Sequence, residues 1–146
     1  MLKKFALDTK KYSIFEKNKM ESLSPNLFVR DIRATLEFYT LLGFNVTMSV
    51  PGANEGEPVW AMMTSGKVTF MFQTFESLGQ TLPAVRREDG GSLIFYINIK
   101  KIRDYFEDIK DKVTVLHGLQ KTFYGATEFS ILDNNNYVLT FAEHEG

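Results

Sequence analysis

Residues 24–44 read SPNLFVRDIRATLEFYTLLGF. The segment NLFVR alternates, with Leu27 and Val29 on one side and Asn26 and Phe28 on the other, which predicts a short strand. Pro25 is tolerated at the start of such a strand. Asp31 follows as a helix N-cap, because its short carboxylate can accept a free backbone N–H of the first turn. In IRATLEFYTLL the apolar residues Ile32, Leu36, Tyr39 and Ala34, Phe38, Leu41 recur at helical spacing. Gly43 suits the left-handed position that ends a helix. The stretch therefore predicts strand, helix and stop in 21 residues.

The pattern continues outward. FNVTMSV, VWAMMTS and KVTFMFQTF predict three further strands. PGANEGEP forms the loop between the first two, and Ser65-Gly66 a tight turn between the others. ESLGQTLPAVRREDGG is polar and punctuated by Gly and Pro, as expected of a linker. The same order then restarts. SLIFYIN predicts a strand, IKKIRDYFEDIKDK an amphipathic helix, VTVLHG a strand, LQKTFYGATEFSILD two strands turning at Gly125, and NNNYVLTFAEH a turn and a last strand. A shift of 68 residues pairs Ser24 with Ser92, Leu27 with Phe95, Val29 with Ile97, Ala34 with Ile102, Phe38 with Phe106 and Leu41 with Ile109. Matched chemistry across a strand and a helix is an internal repeat. The reading is α+β: two β-α-β-β-β modules, 23–78 and 79–146, behind an N-terminal extension, 1–22.

Composition narrows the function. The chain has 146 residues, enough for one domain. It has no cysteine, so disulfides, thiolate metal sites and cysteine nucleophiles are excluded. Aromatic residues make up 14%, with 13 Phe, enough to fill a core or to wall a site for a flat ligand. No apolar run approaches the roughly 20 residues of a membrane helix. The start, MLKKFALDTKKYSIFEKNKM, is broken by Lys10 and Lys11 and is no signal peptide by pattern, so a cytoplasmic protein is expected. Residues 1–22 hold six lysines against Asp8, Glu16 and Glu21, which leaves a body with net charge −4. An acidic body disfavours nucleic acid and favours a cationic ligand.

The combination of VRD, LEFYTLLGF and FSILDNNNYVLTFAE resembles the vicinal oxygen chelate superfamily: glyoxalase I, extradiol dioxygenases and bleomycin resistance proteins. The likeness spans residues 24–143. It implies two βαβββ modules curled into a half-barrel around a ligand, and a homodimer. In metal-dependent members, His and Glu on the first and last strands of each module hold a divalent ion. Carried over one at a time, the first of those positions falls on Ser24 and its repeat mate on Ser92. The fourth-strand position falls on Met71 and the last-strand position on Thr140. Hydroxyls and a thioether suit no hard or borderline divalent ion, so no metal and no other cofactor is expected, and the resemblance is nearest to metal-free, drug-sequestering members. The alternatives are a lyase, isomerase or dioxygenase with a displaced metal site, and an interaction module whose half-barrel is filled by Phe.

Alternation places Leu27, Val29, Phe70, Phe72, Phe95, Ile97, Leu139 and Phe141 beneath the helices. The opposite face would carry a small organic ligand. Candidate ligand contacts are Asn26, Phe28, Met71, Gln73, Ser92, Ile94, Tyr96, Tyr124 and Thr140, with Trp60, the single tryptophan, as a stacking surface. No catalytic residue is assigned. His117 at a strand end, and His144 between Glu143 and Glu145, are expected at the surface, the latter three in a solvated tail.

Overall fold

The computed structural model describes residues 2–10, 19–53 and 56–146. In chain order these form β1 (Asn26–Val29), α1 (Ile32–Leu41), β2 (Asn45–Pro51), β3 (Pro58–Ser65), β4 (Val68–Thr74), α2 (Phe75–Leu78), β5 (Ile94–Asn98), α3 (Ile102–Ile109), β6 (Thr114–Lys121), β7 (Ala126–Leu132) and β8 (Val138–His144). Two four-stranded mixed sheets result, ordered β1-β4-β3-β2 and β5-β8-β7-β6. In each, the first strand runs parallel to the last and the other pairings are antiparallel. The fold is α+β, βαβββ twice, with no closed barrel.

Local chemistry sets the first unit. The Asp31 carboxylate accepts the Ala34 N–H at 3.0 Å and caps α1. At its other end Gly43, at φ +103°, lets the Phe44 N–H reach the Tyr39 carbonyl at 2.9 Å. That bond closes the helix in a Schellman turn. The buried stripe of α1 is Ile32, Thr35 and Tyr39, whereas Leu41 is exposed. Thr35 is wholly buried yet satisfied: its hydroxyl donates to the Asp31 carbonyl and accepts from the Asn134 and Asn135 amides.

One core serves both modules. Leu27, Val29, Phe70 and Phe72 of the first sheet and Ile97, Phe129, Leu139 and Phe141 of the second belong to a single buried cluster. The Phe70 and Phe95 rings meet edge-on at 5.1 Å across the halves. Polar ties join them as well. The Tyr39 hydroxyl donates to Asp133 at 2.7 Å, and the Tyr105 hydroxyl donates to the Leu42 carbonyl at 2.8 Å.

Several local expectations change. Phe75 leaves the strand and begins α2, because the Thr74 hydroxyl caps it by accepting the Ser77 N–H. The segment expected as pure linker thus opens with a helical turn. β6 runs on to Lys121 rather than stopping near Gly118. Glu143 and His144 are not tail residues but belong to β8. Glu143 lies toward α3, whose N-cap residue Lys101 has φ +56° and no side-chain cap of its own. The Glu143 carboxylate supplies the cap, accepting the Lys101 and Ile102 N–H groups at 2.8 and 3.4 Å. A carboxylate at a helix N-terminus also meets the positive end of the helix dipole. In the N-terminal extension Leu2, Phe5, Leu7 and Met20 are exposed. The packing expected of Ile14 and Phe15 lies outside the described residues.

Candidate functional site: two open sheet faces

Each sheet packs one face into the core; the other face is partly covered, and on the second sheet Thr140 and Ala142 at its centre are still buried at 6% and 0% exposure. On the first sheet, register sets Asn26, Met71, Met62 and Met48 in one row across β1-β4-β3-β2. The adjacent row is Phe28, Gln73, Trp60 and Val50. Residues directly opposite on paired strands share a face, so these side chains form one surface. Met48 and Val50 are about half exposed, at 59% and 47%. Phe28 extends the surface onto Phe75 of α2, ring centroids 6.3 Å apart, and the Arg30 guanidinium covers Phe75 at 5.4 Å. The Asn26 amide donates to Gln73 Oε1 at 3.0 Å. Its own Oδ1 is buried with no hydrogen-bond partner among the described residues. A buried acceptor left unpaired is costly.

The second sheet opens differently. Its rows are Ile94, Val138, Leu132 and Thr114, then Tyr96, Thr140, Ser130 and His117, then Asn98, Ala142, Glu128 and Gln120. Thr140 and Ser130 hydrogen-bond each other at 2.8 Å. Glu128 is the centre of the face. Its Oε1 accepts the hydroxyls of Tyr96 and Tyr124, each at 2.5 Å, and His144 Nε2 lies 3.1 Å from the Tyr96 oxygen. Loss of solvent, then the bond to Glu128, raises the Tyr96 hydroxyl well above its usual pKa. For Tyr124 the bond to Glu128 is the main cause of the upward shift. Both phenols therefore stay protonated and donating at neutral pH.

The expected contacts thus fall into two groups. Asn26, Phe28, Trp60, Met71 and Gln73 share the first open face, and Ile94, Tyr96 and Thr140 the second, with Tyr124 at its rim. Ser24 and Ser92 sit just outside β1 and β5. Two cavities lie elsewhere. One of about 560 Å³ is lined by Arg30, Asp31, Glu57 and Phe75 among others, and one of about 500 Å³ lies between the halves near Lys67, Lys100 and Tyr105. None of the ten expected contacts lines either cavity.

Glu128, His117 and His144 are additions to the expected site. Glu128 had a signal in the sequence: within ATEFSIL it alternates with Phe129 and Ile131, a charge inside an otherwise buried strand. His144 had none, since its role depends on how far β8 extends.

The residues at the four carried-over metal positions do not form a ligand set. Thr140 spends its hydroxyl on Ser130, Met71 offers a thioether, and Ser24 and Ser92 stand off the strand ends. Among the described residues no group of three His, Asp or Glu stands close enough to hold an ion. Among them, too, no helix is long and apolar enough to cross a membrane.

The fold agrees with the comparisons. The family model of the Glyoxalase/Bleomycin resistance protein/Dioxygenase superfamily matches residues 22–141, and the chain belongs to that superfamily. No curated protein matches it significantly. Among solved structures it is similar to a protein of unknown function from Agrobacterium tumefaciens (22% identity, 88% of this chain and 97% of that one, TM-score 0.69). It is also similar to a bleomycin resistance determinant encoded on transposon Tn5 (18% identity, 87% and 100%, TM-score 0.60). A third is a bleomycin-binding protein complexed with bleomycin (18% identity, 86% and 100%, TM-score 0.58). At these identities the likeness is one of fold.

Proposed function

We propose that this protein binds a small organic ligand on its open sheet faces without a metal ion, sequestering rather than converting it. The ligand class is aromatic or cationic and antibiotic-like. The observation that carries this reading is the first open face. Trp60, Phe28, Met62 and Met71 line up beside the amides of Asn26 and Gln73, a broad apolar surface with few polar groups. That combination is typical of sites for flat organic molecules, and methionines adapt to varied ligand shapes. The acidic body of the chain adds long-range attraction for a cation. A bleomycin-binding protein among the fold neighbours supports the class of ligand.

A homodimer is part of the proposal, since every residue of β2 is exposed, the large apolar Val46, Met48 and Val50 among them.

The test is calorimetric titration of metal-stripped protein with bleomycin and with indole, beside elemental analysis of the untreated protein. Binding that survives chelation is expected. Binding that appears only when a divalent metal is restored would overturn the reading, as would silence toward both ligands.

A further inference from the structure

The second open face holds a carboxylate whose hydrogen bonds leave one oxygen unused. Glu128 is buried to 9% exposure, yet no Lys or Arg among the described residues pairs with it. Burying a charge without a counter-ion is unfavourable. Two phenols offset part of that cost, and both act on the same oxygen, Oε1. Oε2 accepts no hydrogen bond from the described residues.

The proton inventory fixes what else the face can accept. A carboxylate oxygen accepts, and the Tyr96 and Tyr124 hydroxyls both donate their hydrogen bonds to Glu128. Each phenolic oxygen then remains an acceptor. The Tyr96 oxygen lies against His144 Nε2, assigned as the N–H that donates to it. Glu128 Oε2 is left beside the two phenols, an acceptor that no donor of the described residues reaches. Around them stand rings: Tyr96 and Tyr124 at 6.1 and 6.5 Å from His144, and Phe123 packed edge-on to Tyr124 at 5.0 Å. Such a wall repels carboxylates and phosphates. It matches a cation that carries N–H donors.

We infer that Glu128, with Tyr124 and Tyr96, is a recognition site for a protonated amine or guanidinium group on the ligand, in preference to a quaternary ammonium. The preference follows from hydrogen bonding. A quaternary centre brings charge and ring contact but no donor for Oε2, whereas an N–H cation forms a charge-assisted bond there. This inference rests on the ligand-binding reading above and specifies which functional group the ligand bears. A purely structural role for Glu128, tying the turn at Tyr124 to β7, is the competing account. It predicts a change in melting temperature with no change in ligand selectivity.

The experiment is an NMR titration of the full-length protein with four probes that share one ring: benzylamine, benzyltrimethylammonium, benzyl alcohol and benzoate. Benzylamine is expected to bind about tenfold tighter than benzyl alcohol and several-fold tighter than benzyltrimethylammonium, with benzoate weakest. Glu128→Gln should remove the advantage of benzylamine and leave benzyl alcohol unchanged. Tyr124→Phe, at the rim of the sheet, should reduce that advantage only in part. It decides the matter if Glu128→Gln fails to fold. If benzyl alcohol and benzyltrimethylammonium match benzylamine in the native protein, the inference is wrong while the ligand-binding reading stands. The same holds if benzylamine keeps its advantage in both variants. If none of the four probes binds while indole or bleomycin does, the inference falls and the ligand-binding reading stands.

Discussion

The two sheets have the same strand order and the same buried side, and opposite open sides. On the buried side Phe70 and Phe72 of β4 and Leu139 and Phe141 of β8 are all at or below 2% exposure. On the other side β4 carries Met71 and Gln73 where β8 carries Thr140 and Ala142, and the difference widens outward. One face is thioether and indole; the other is carboxylate, phenol and imidazole. A strand alternates its side chains with period two, so every second residue answers to the core and the rest are free to answer to a ligand. The repeat has kept the first set alike and let the second diverge.

The largest effect should come from breaking that alternation on one strand. Phe72 is fully buried among Tyr39 and Phe70. Phe72→Ala removes a core ring and should cost about 3–5 kcal/mol of stability. Its neighbour Met71 faces the open side, and Met71→Ala should cost about 1 kcal/mol or less. Chemical denaturation of the two variants gives the comparison directly. Equal losses would mean that the first face is covered in solution and behaves as a second core.

A smaller effect concerns the ligand rather than the fold. Trp60 stands in the row of Gln73 and Val50, half buried. Trp60→Ala should lower the melting temperature by less than Phe72→Ala does, and weaken indole binding roughly 30-fold, the loss typical of an aromatic anchor. The variant has no tryptophan fluorescence, so calorimetry is the readout. A variant that binds as tightly as the parent would move the ligand off the first face.

Much of this architecture is legible from residues alone. The Leu27–Val29 face, the Asp31 cap and the Gly43 stop are local signals, and the structure realises each of them. The 68-residue shift carries β1 onto the start of β5 because both modules solve the same packing problem. What escaped is non-local. Glu143 caps α3 from 42 residues away, and nothing near Lys101 announces that need. Thr35 is unsuited to a helix core until Asn134 and Asn135 meet it from the other module. Glu128 is visible as an odd charge in β7, but its partners Tyr96 and His144 come from other strands. Period-two reasoning assigns a face; it does not say which side chains of that face touch.

The smallest effect, and the one most specific to the second face, lies in the tyrosines. Tyr39, Tyr96, Tyr105, Tyr124 and Tyr137 are all shifted upward. Burial leads the causes for Tyr39, Tyr96, Tyr105 and Tyr137, whereas the bond to Glu128 leads for Tyr124. A folded-state pKa above the unfolded value of about 10 means that the native protein holds protons the unfolded chain would release. That stabilisation is complete below pH about 10 and is lost as pH climbs through the raised values. Phenolate absorbance followed during alkaline titration should therefore rise late and in step with unfolding. Glu128→Gln removes the negative charge from one face only. Tyr124 should then titrate early, Tyr96 should move part of the way because burial still acts on it, and the three tyrosines shifted without Glu128 should not move. An unchanged titration would mean that Glu128 holds neither phenol in solution, and the asymmetry between the two faces would lose its charged half.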